Sequence, residues 1–345
     1  MPPSLTIVIP SHSRADLLRL CLASVRRHAP PDTEVLVVDD ASPNRCATRT
    51  ASEFAGVRSL RFENQRGFCA AVNAGIRAAH RPIVELLNDD TEVTEGWAQA
   101  ALAHFADPSV AAVAPLVLKG TPRDNASIVD SAGDRYYLGG IAGKRGHGQT
   151  LHPRYLQGGG VFGVSASSAF YRRETLLQIG GFPEEFGAYF EDVDVSFRLH
   201  WAGHRLIYEP SSRVWHRVSA SHGKPKRRLL EQQSRNEERV FWRNLPKDDL
   251  VRALPWHVAV LAAKALRRWH QGELLPFVLG RLRILVESPR IFLHRRRLRQ
   301  TNALASCSSW GVESDFWGRS ERHLLLEDRE HISCAEKTIR PPVSS

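Results

Sequence analysis

Residues 34–40 read EVLVVDD, a short apolar run that ends in two adjacent aspartates. Four further runs rich in β-branched residues or leucine occur along the chain: LTIVIP (5–10), VRSLRF (57–62), PIVELLN (82–88) and VAAVAPLVL (110–118). Nearly continuous apolar strands are typical of a sheet that is buried on both faces. Helical patterns separate the runs at about 14–29, 45–55, 66–80 and 95–106. This alternation predicts an α/β fold with a mostly parallel sheet wrapped by helices.

Polar residues stand where the predicted strands end. They are Ser11–Ser13, Asp39–Asp40, Asn64–Gly67 and Asn88–Asp90. Ligands of such sheets bind beyond the carboxyl ends of the strands. Asp and Asn are also common in turns and at helix N-caps, so one pair alone would mean little. Two aspartate pairs at equivalent edges of one sheet repel each other unless a cation or hydrogen-bond donors compensate them. A divalent metal ion with a diphosphate would meet that need.

Glycine-rich phosphate loops are absent from the sequence. No G-x-G-x-x-G follows the first strand, and no G-x-x-x-x-G-K-[ST] occurs. The sequence therefore supports neither a dinucleotide-binding fold nor a P-loop. A metal ion held by aspartate oxygens is the remaining way to neutralise phosphates, and such ligands suit Mg²⁺ or Mn²⁺.

The stretch AYFEDVDVSFRLHWAGHRL (188–206) places Glu191, Asp192 and Asp194 within four positions. Apolar residues recur every four positions from Val193, which predicts an amphipathic helix that stops near Gly203. Carboxylates at a helix start accept hydrogen bonds from free amides and are stabilised by the helix dipole. A catalytic role for the same carboxylates is equally compatible with this stretch.

Taken in order, these segments resemble family 2 glycosyltransferases of the GT-A fold over about residues 4–222. The matching segments are TIVIPSHSR, VLVVDDAS, NQRGFCAAVNAG, LLNDDTEV, GGF, YFEDVDVSFRLHWAGHRL and VWH. The chain is similar to the rhamnosyltransferase-like bacterial members that build cell-surface polysaccharides. The resemblance implies a Rossmann-like, mostly parallel central sheet flanked by helices.

The resemblance also implies a site for a nucleoside-diphosphate-sugar donor. Asp40 would accept a hydrogen bond from the ring N–H of a pyrimidine base, which favours UDP- or dTDP-linked sugars. Other expected donor-binding residues are Pro10, Ser11, Asp39, Asn64, Arg66, Gly67, Asn73 and Asp89. Asp90 and His216 are expected to hold Mg²⁺ or Mn²⁺, although Asn88 stands where the family's metal motif often has its first aspartate.

Asp192 corresponds to the general base of the resembled family, and Glu191 is expected to bind the acceptor or orient the loop. The implied reaction is a metal-dependent, inverting transfer of a hexosyl or rhamnosyl group to a saccharide or lipid-linked saccharide hydroxyl. One alternative is a GT-A protein that binds nucleotide sugars without transferring them. A nucleotidyltransferase is another, but such enzymes usually open with a glycine-rich loop that IPSHSR lacks.

The net charge of +10 is concentrated in one region. Residues 224–300 hold 19 Lys and Arg against 7 Asp and Glu, whereas the rest of the chain holds 28 against 30. We therefore predict a catalytic domain (1–223), a basic helical extension (224–300) and a poorly ordered polar tail (301–345). The section 119–156 is rich in Gly, Asp and Arg without a steady period, and we interpret it as an acceptor-side insertion.

The basic extension combines Trp and Leu with Lys and Arg, which suits the surface of an anionic membrane. Helices that only pack on the catalytic domain are the alternative interpretation. No helix-turn-helix, zinc-finger spacing or RNP-like motif accompanies the positive charge, so nucleic-acid binding is disfavoured. The five cysteines form no C-x-x-C pair, and neither a signal peptide nor a membrane-spanning run is recognisable. These features predict a cytoplasmic enzyme held peripherally at the inner face of the cell membrane.

Overall fold

A computed structural model describes residues 3–124, 127–218, 227–301 and 306–314. The strands are β1 (Leu5–Ser11), β2 (Glu34–Asp39), β3 (Val57–Arg61), β4 (Ile83–Leu87), β5 (Thr91–Val93), β6 (Val110–Lys119), β7 (Ile128–Ser131), β8 (Asp134–Tyr137), β9 (Ile141–Lys144), β10 (Gly159–Gly160), β11 (Ser168–Arg172) and β12 (Arg205–His216). The helices are α1 (Ala15–His28), α2 (Cys46–Ser52), α3 (Phe68–Ala78), α4 (Trp97–Ala103), α5 (Arg173–Gln178), α6 (Glu191–Trp201), α7 (Arg227–Asn244), α8 (Lys247–His270) and α9 (Leu274–Thr301).

The central sheet has the strand order β10-β12-β6-β11-β4-β1-β2-β3, with β5 beside β12 and β7 beside β6. Strands β3, β2, β1 and β4 are parallel, as the alternating pattern predicts. The other half of the sheet is mixed, because β11 lies antiparallel between β4 and β6 while β6 and β12 are parallel. Strands β8 and β9 form a separate antiparallel hairpin within the predicted insertion. The predicted α/β architecture is confirmed.

Both faces of the sheet are buried, as the continuous apolar runs indicate. Along β1, Val8 packs into one hydrophobic cluster, whereas Ile7 and Ile9 pack into the other. Helices α1, α2 and α4 cover the second face, and α3, α6 and α7 contribute to the first. Successive strand residues point to opposite faces, so a strand covered on both sides needs apolar residues at every position.

Parallel pairing brings the carboxyl ends of the first strands to one edge of the sheet. Ser11 at the end of β1 lies in register with Asp39 at the end of β2. Strand β4 flanks β1 on its other side, so the Asn88–Asp90 turn leaves the same edge. Residues that are far apart in the sequence are therefore neighbours here, and this edge forms the floor of the candidate site.

The basic extension begins with a helix that packs against the N-terminal part of the chain. Asn244 of α7 donates a hydrogen bond from Nδ2 to Asp194 Oδ1 (2.8 Å), and its carbonyl accepts one from Trp201 Nε1 (2.7 Å). Arg239 of α7 forms a two-pronged ion pair with Glu287 of α9, at 2.5 and 2.7 Å. In the described parts of the chain, no helix has both the length and the hydropathy of a bilayer-spanning segment.

Most of the predicted tail, 301–345, lies outside the described residues. Residues 306–314, which belong to it, pack on the domain instead of extending from it. Trp310 is buried and stacks on His200 with a centroid distance of 5.6 Å. Glu313 donates its backbone N–H to the Tyr136 carbonyl (2.8 Å). The expectation of a poorly ordered tail therefore does not hold for these nine residues.

Candidate active site

Asp40 joins the end of β2 to the loop before α3. Its Oδ1 accepts the backbone N–H of Arg66 (2.7 Å), and its Oδ2 accepts that of Gly67 (2.9 Å). Gly67 has a positive φ of 89°, a conformation that glycine adopts without strain. The carboxylate is 5% exposed and keeps further lone pairs on both oxygens. The expected neighbourhood of Asp40, Arg66 and Gly67 is thus present.

Two of the residues expected to bind the donor are occupied by protein groups instead. Asp39 is fully buried and accepts hydrogen bonds from Ser42, Thr48 and Arg61. Burial opposes its ionisation, but these donors hold the pKa of Asp39 below its usual value. Asn73 exchanges two 2.8 Å hydrogen bonds with the backbone of Phe182. Their side chains fix the fold around the site, which corrects the expectation of donor contacts.

Asn64 and Arg66 lie at the exposed rim of this region. The Arg66 guanidinium lies over the Phe62 ring at 5.0 Å and is 3.3 Å from Glu184 Oε2. Pro10 is half-buried at the end of β1. Pro10, Asn64 and Arg66 therefore lie near Asp40 and are accessible from solvent, the side from which a nucleotide would bind.

Asp89 and Asp90 are both buried and share one arginine of the chain. Arg14 Nη2 lies 2.5 Å from Asp89 Oδ1, and Arg14 Nη1 lies 2.8 Å from Asp90 Oδ2. Ser11 Oγ also donates to Asp89 Oδ2 (2.7 Å). Burial raises the pKa of Asp89 to about 6, against the lowering effect of Arg14. The cation that the double aspartates require is thus partly supplied by Arg14.

His216, at the end of β12, bridges two carboxylates. Its Nε2 lies 3.2 Å from Asp90 Oδ1, and its Nδ1 lies 3.1 Å from Asp130 Oδ2. Burial opposes protonation, but Asp130 and Asp90 hold the pKa of His216 above its usual value. Asp130 also binds Lys144 Nζ at 2.9 Å. Although Asp130 is buried, the cations around it keep its pKa well below the usual range. The structure therefore joins His216 to Asp90, as expected.

The fit of a metal ion rests on the Asp90 and His216 pair. Within the described residues, no group of three or more His, Cys, Asp or Glu side chains is arranged to hold a metal ion. Mg²⁺ is commonly bound through one or two protein carboxylates together with substrate phosphates and water. Asp90 Oδ1 facing His216 Nε2 fits an ion whose coordination is completed by the donor's diphosphate. Asp89, paired with Arg14, lies next to it.

The Glu191–Asp192 pair opens helix α6. Asp192 Oδ2 accepts the backbone N–H of Ala166 (3.2 Å), which comes from a different segment, and Oδ1 accepts that of Val193 (2.9 Å). No side chain caps this helix; the residue before it, Phe190, is left-handed. Asp192 thus binds one free first-turn amide of the helix, as the helix-start interpretation expects, but it also binds Ala166 of another segment and lines a cavity.

Burial dominates the electrostatics of the acidic residues around this cavity. It raises the pKa of Asp192, and together with the Asp192 charge it raises that of Glu191 well above its usual range. Burial and the same charge raise the pKa of Asp134 to about 8. Burial lowers the pKa of Lys144, but Asp130 and Asp134 outweigh it and hold the pKa above its usual value. Carboxyls with raised pKa values near neutral pH are typical of catalytic acids and bases.

A cavity of about 450 Å³, here called the catalytic cavity, unites these groups. Its lining includes Asn88 and His216 together with Glu191 and Asp192. Asp40 and Asp90 do not line it directly, but they contact Gly67, next to the lining residue Phe68, and His216 respectively. The Glu191–Asp192 pair thus lines the hollow directly, whereas Asp40 and Asp90 reach it only through neighbouring residues.

Four charged residues of this site are not among the sequence-based candidates: Arg14, Asp130, Asp134 and Lys144. Three of them lie in the 119–156 insertion, where no period or motif distinguishes them. Arg14 follows the first strand, in the segment SHSR. Its position just beyond a strand end is the one sequence feature that could have identified it as a site residue. Their partners come from distant segments, which a single sequence does not reveal.

Comparison with known proteins identifies the family and the fold. The sequence model described as "Glycosyl transferase family 2" matches residues 6–180. A curated relative, the pre-mycofactocin glycosyltransferase of Mycobacterium tuberculosis, is 32% identical over 225 residues. That match covers 62% of this chain and 44% of the relative, so the chain spans less than half of that protein's length.

Two solved structures share the fold. GalNAc-T7 with UDP, GalNAc and Mn²⁺ matches with a TM-score of 0.57 and 17% identity, over 72% of this chain and 49% of that one. The mannosyltransferase PcManGT from Pyrobaculum calidifontis, with GDP-Man and Mn²⁺, matches with a TM-score of 0.52 and 20% identity, over 90% and 88%. The predicted GT-A fold with a C-terminal helical extension is confirmed. With half of its residues matched by the family's sequence model, the chain belongs to glycosyl transferase family 2.

Proposed function

We propose that this protein is an inverting glycosyltransferase that moves a sugar from a nucleoside-diphosphate donor to a saccharide hydroxyl. The observation that carries the proposal is the catalytic cavity, whose lining includes both Asp192 and His216, the partner of Asp90. A base and a diphosphate site that border one hollow suit displacement at the anomeric carbon. Family membership supports the same reaction class.

Asp192 acts as the general base in this scheme. Its carboxylate takes the proton of the acceptor hydroxyl as that oxygen bonds to the anomeric carbon. The bond from the anomeric carbon to the diphosphate oxygen breaks on the opposite face, and the diphosphate leaves with the electron pair. The raised pKa of Asp192 makes it a stronger base than an exposed aspartate. The backbone N–H groups of Ala166 and Val193 hold the carboxylate in place.

Asp90 and His216 would hold the divalent metal ion. When bound, Mg²⁺ or Mn²⁺ supplies positive charge that stabilises the departing diphosphate. Arg14 contributes a guanidinium at the same end of the site, 2.8 Å from Asp90. Glu191 is buried beside Asp192, and its raised pKa favours the protonated form, which donates a hydrogen bond to the acceptor or to the loop.

The donor is proposed to be a UDP- or dTDP-linked hexose or 6-deoxyhexose, in line with the rhamnosyltransferase-like sequence pattern. Asp40 supports a pyrimidine, because an ionised carboxylate only accepts hydrogen bonds and uracil and thymine present a ring N–H. GalNAc-T7, which shares the fold, was solved with UDP. Transfer by this protein would then serve the synthesis of a cell-surface polysaccharide.

Nucleotide binding tests the donor assignment. We expect UDP or dTDP with Mn²⁺ to raise the melting temperature by several degrees, since a ligand at 100 times its Kd adds about 2.7 kcal/mol. GDP under the same conditions is the matched control and should give no comparable rise. Thermal unfolding with and without metal measures both effects. A rise with GDP alone contradicts the pyrimidine assignment, and turnover of labelled nucleotide sugars separates an active enzyme from a non-catalytic binder.

Helix α9 supports the proposed association with an anionic membrane surface. Its buried face packs inward through Phe277, Gly280, Ile284, Ile291 and Leu298. An apolar stripe on the opposite face is exposed and consists of Leu275, Leu279, Leu282, Val286 and Leu293. Both sets recur at three- or four-residue spacing or at seven, so each occupies one side of the helix. One side is covered by the protein, and the other is available to a lipid surface.

Arginines border the exposed apolar stripe of α9. Arg283, Arg290 and Arg297 are exposed and spaced seven residues apart, so they follow one line along the helix. An apolar stripe beside a line of cations fits the boundary between lipid tails and anionic headgroups. This arrangement would place lipid-linked saccharides at the inner face of the cell membrane within reach of the enzyme.

Vesicle binding tests this membrane association. The double substitution Arg290→Gln and Arg297→Gln should weaken binding to phosphatidylglycerol vesicles roughly 30-fold, because each basic residue near the surface contributes about 1 kcal/mol. The matched control is Arg26→Gln with Arg27→Gln on α1, where both residues are also exposed. Co-sedimentation measures the partition. Dimerisation through α9 with no retention on vesicles contradicts the assignment.

A further inference from the structure

A second cavity of about 460 Å³ adjoins the catalytic cavity. It lies between the β8–β9 hairpin, the Tyr189–Phe190 turn and the C-terminal helices α7, α8 and α9. The two cavities share five lining residues: Ala142, Gly143, Lys144, Tyr189 and Phe190. We call it the helical cavity. Because of the shared wall, a molecule that fills it borders the catalytic cavity.

The shared wall is held in a strained conformation. Tyr189 and Phe190 have positive φ angles of 70° and 66°, which bulky residues rarely adopt. Asn236 of α7 is buried and donates from Nδ2 to the carbonyls of Ala188 and Tyr189, both at 3.0 Å. Strain that surrounding contacts maintain is frequent at ligand sites. Helix α7 therefore fixes the turn that separates the two cavities and leads directly into Glu191 and Asp192.

The lining of the helical cavity combines aromatic rings with paired charges. Tyr137, Tyr189 and Phe277 supply the rings. Lys264 is paired with Glu237, and Arg268 with Glu273, within the same lining. Rings that pack on C–H faces, with carboxylates and cations that bind hydroxyls, suit a saccharide. Since each of these two cations already faces a carboxylate, the lining suits a neutral polyhydroxyl compound better than a polyanion.

Gln233 adds a polar group on the same wall. It lies on α7, partly exposed, and lines the helical cavity. Its side-chain amide forms no hydrogen bond to any other residue in the ranges that the structure describes. An amide offers both a donor and an acceptor, which matches the vicinal hydroxyls of a sugar.

We propose that the helical cavity is the acceptor subsite and that it takes saccharide units adjoining the one that reacts. This inference rests on the proposed transferase function. The volume lies within the range of small-molecule sites. The shared wall contains Phe190, which directly precedes Glu191 and Asp192 in the chain, so an acceptor in the helical cavity lies beside the proposed base. The C-terminal helices then recognise the acceptor, in addition to any contact with a membrane.

Gly143 allows the subsite to be closed without disturbing the fold. It lines both cavities, has an ordinary φ, and a Cβ built on it meets no atom within 4 Å. The substitution Gly143→Phe should therefore fill the passage between the cavities. Gly160 on β10 is equally open, has an ordinary φ and lines neither cavity. Gly160→Phe is the matched control.

The test uses the full chain and methyl glycosides of rhamnose, glucose, galactose and mannose as probes. We expect saturation-transfer NMR to detect at least one glycoside, and Gly143→Phe to raise its Kd at least tenfold. Gly160→Phe should bind the probe as the unaltered chain does, and the UDP- or dTDP-induced rise in melting temperature should persist in Gly160→Phe and in Gln233→Ala. Gln233→Ala leaves the cavity open but removes the amide, so it should raise the Kd of the probe several-fold.

The outcomes separate the subsite from the transferase function. If the unaltered chain binds no glycoside, or if Gly143→Phe and Gln233→Ala both bind the probe normally, the helical cavity is not the acceptor subsite. Those results leave nucleotide binding and donor turnover untouched. Absence of nucleotide binding and of donor turnover in the unaltered chain instead defeats the proposed function itself.

Discussion

Replacement of Asp192 by asparagine is expected to lower sugar transfer by about 10²–10⁴-fold, the usual contribution of a positioned general base. Asparagine keeps the shape of the side chain, and its single amide oxygen can accept one of the two backbone hydrogen bonds from Ala166 and Val193, but it cannot take the acceptor proton. Nucleotide binding should be spared, because Asp40 and Asp90 belong to other segments. The turnover rate with a UDP- or dTDP-sugar and the nucleotide-induced rise in melting temperature measure the two effects.

The matched control is Glu191→Gln, the neighbouring carboxyl in the same helix turn. Because burial and the Asp192 charge raise the pKa of Glu191 well above its usual range, they favour the protonated form, which glutamine resembles. Transfer by Glu191→Gln should therefore fall far less than transfer by Asp192→Asn. Equal losses for the two variants, or transfer at the original rate by Asp192→Asn, would assign the base to another residue.

The first strands and their ends were predictable because they depend on local patterns. Apolar runs fix β1, β2 and β4, and parallel topology brings their carboxyl ends together. Asp40 and the Gly67 loop then meet at that edge without any information beyond the order of elements. The mixed half of the sheet was not foreseen, since β11 enters between β4 and β6 only after the chain has built an insertion with no regular period.

Which aspartates face the cleft could not be read from their order in the sequence. Asp39 and Asp40 are adjacent, but a strand turns successive side chains to opposite sides, and Asp39 is enclosed by Ser42, Thr48 and Arg61. The side-chain amide of Asn73 likewise forms hydrogen bonds with the Phe182 backbone. Tertiary contacts decide between a ligand contact and an internal hydrogen bond, and nothing local distinguishes the two.

The need for positive charge beside the aspartates was predicted, but the chain supplies part of it. Arg14 binds Asp89 and Asp90, and Lys144 binds Asp130, which in turn binds His216. These internal cations lower the cost of holding several carboxylates in one hollow before any donor arrives. A bound metal ion would thus enter a site that is already partly neutralised.

Replacement of Asp194 by asparagine is expected to lower the free energy of unfolding by about 3–5 kcal/mol, the cost of removing one partner from a buried ion pair. Asp194 is fully buried and contacts Arg198 Nε at 2.7 Å and Arg243 Nε at 3.1 Å. Its role is therefore not confined to the start of α6, because Arg243 belongs to α7. Asparagine leaves both guanidinium groups without their carboxylate. Urea unfolding monitored by circular dichroism measures the change.

The dependence of this stabilisation on pH has a definite sign. Burial opposes the ionisation of Asp194, but Arg243 and Arg198 hold its pKa well below the usual range. A group with a lowered folded-state pKa stabilises the protein fully above its unfolded pKa, which for aspartate is about 3.9. The difference between the original chain and Asp194→Asn should therefore be constant near neutral pH. It should shrink as the pH falls below about 4 and the unfolded state, but not the folded one, binds a proton.

Asp16→Asn provides the matched control for Asp194→Asn, since Asp16 also pairs with an arginine, Arg19, but its side chain is 98% exposed. Exposed ion pairs contribute about 0–1 kcal/mol, so this variant should unfold almost as the original chain does. If Asp194→Asn lowers the free energy of unfolding as little as Asp16→Asn does, the contact between α6 and α7 does not depend on this carboxylate. A large loss for Asp194→Asn alone shows that the basic helical extension is bound into the catalytic domain by a buried charge, four residues from the Phe190 turn that shapes the active site.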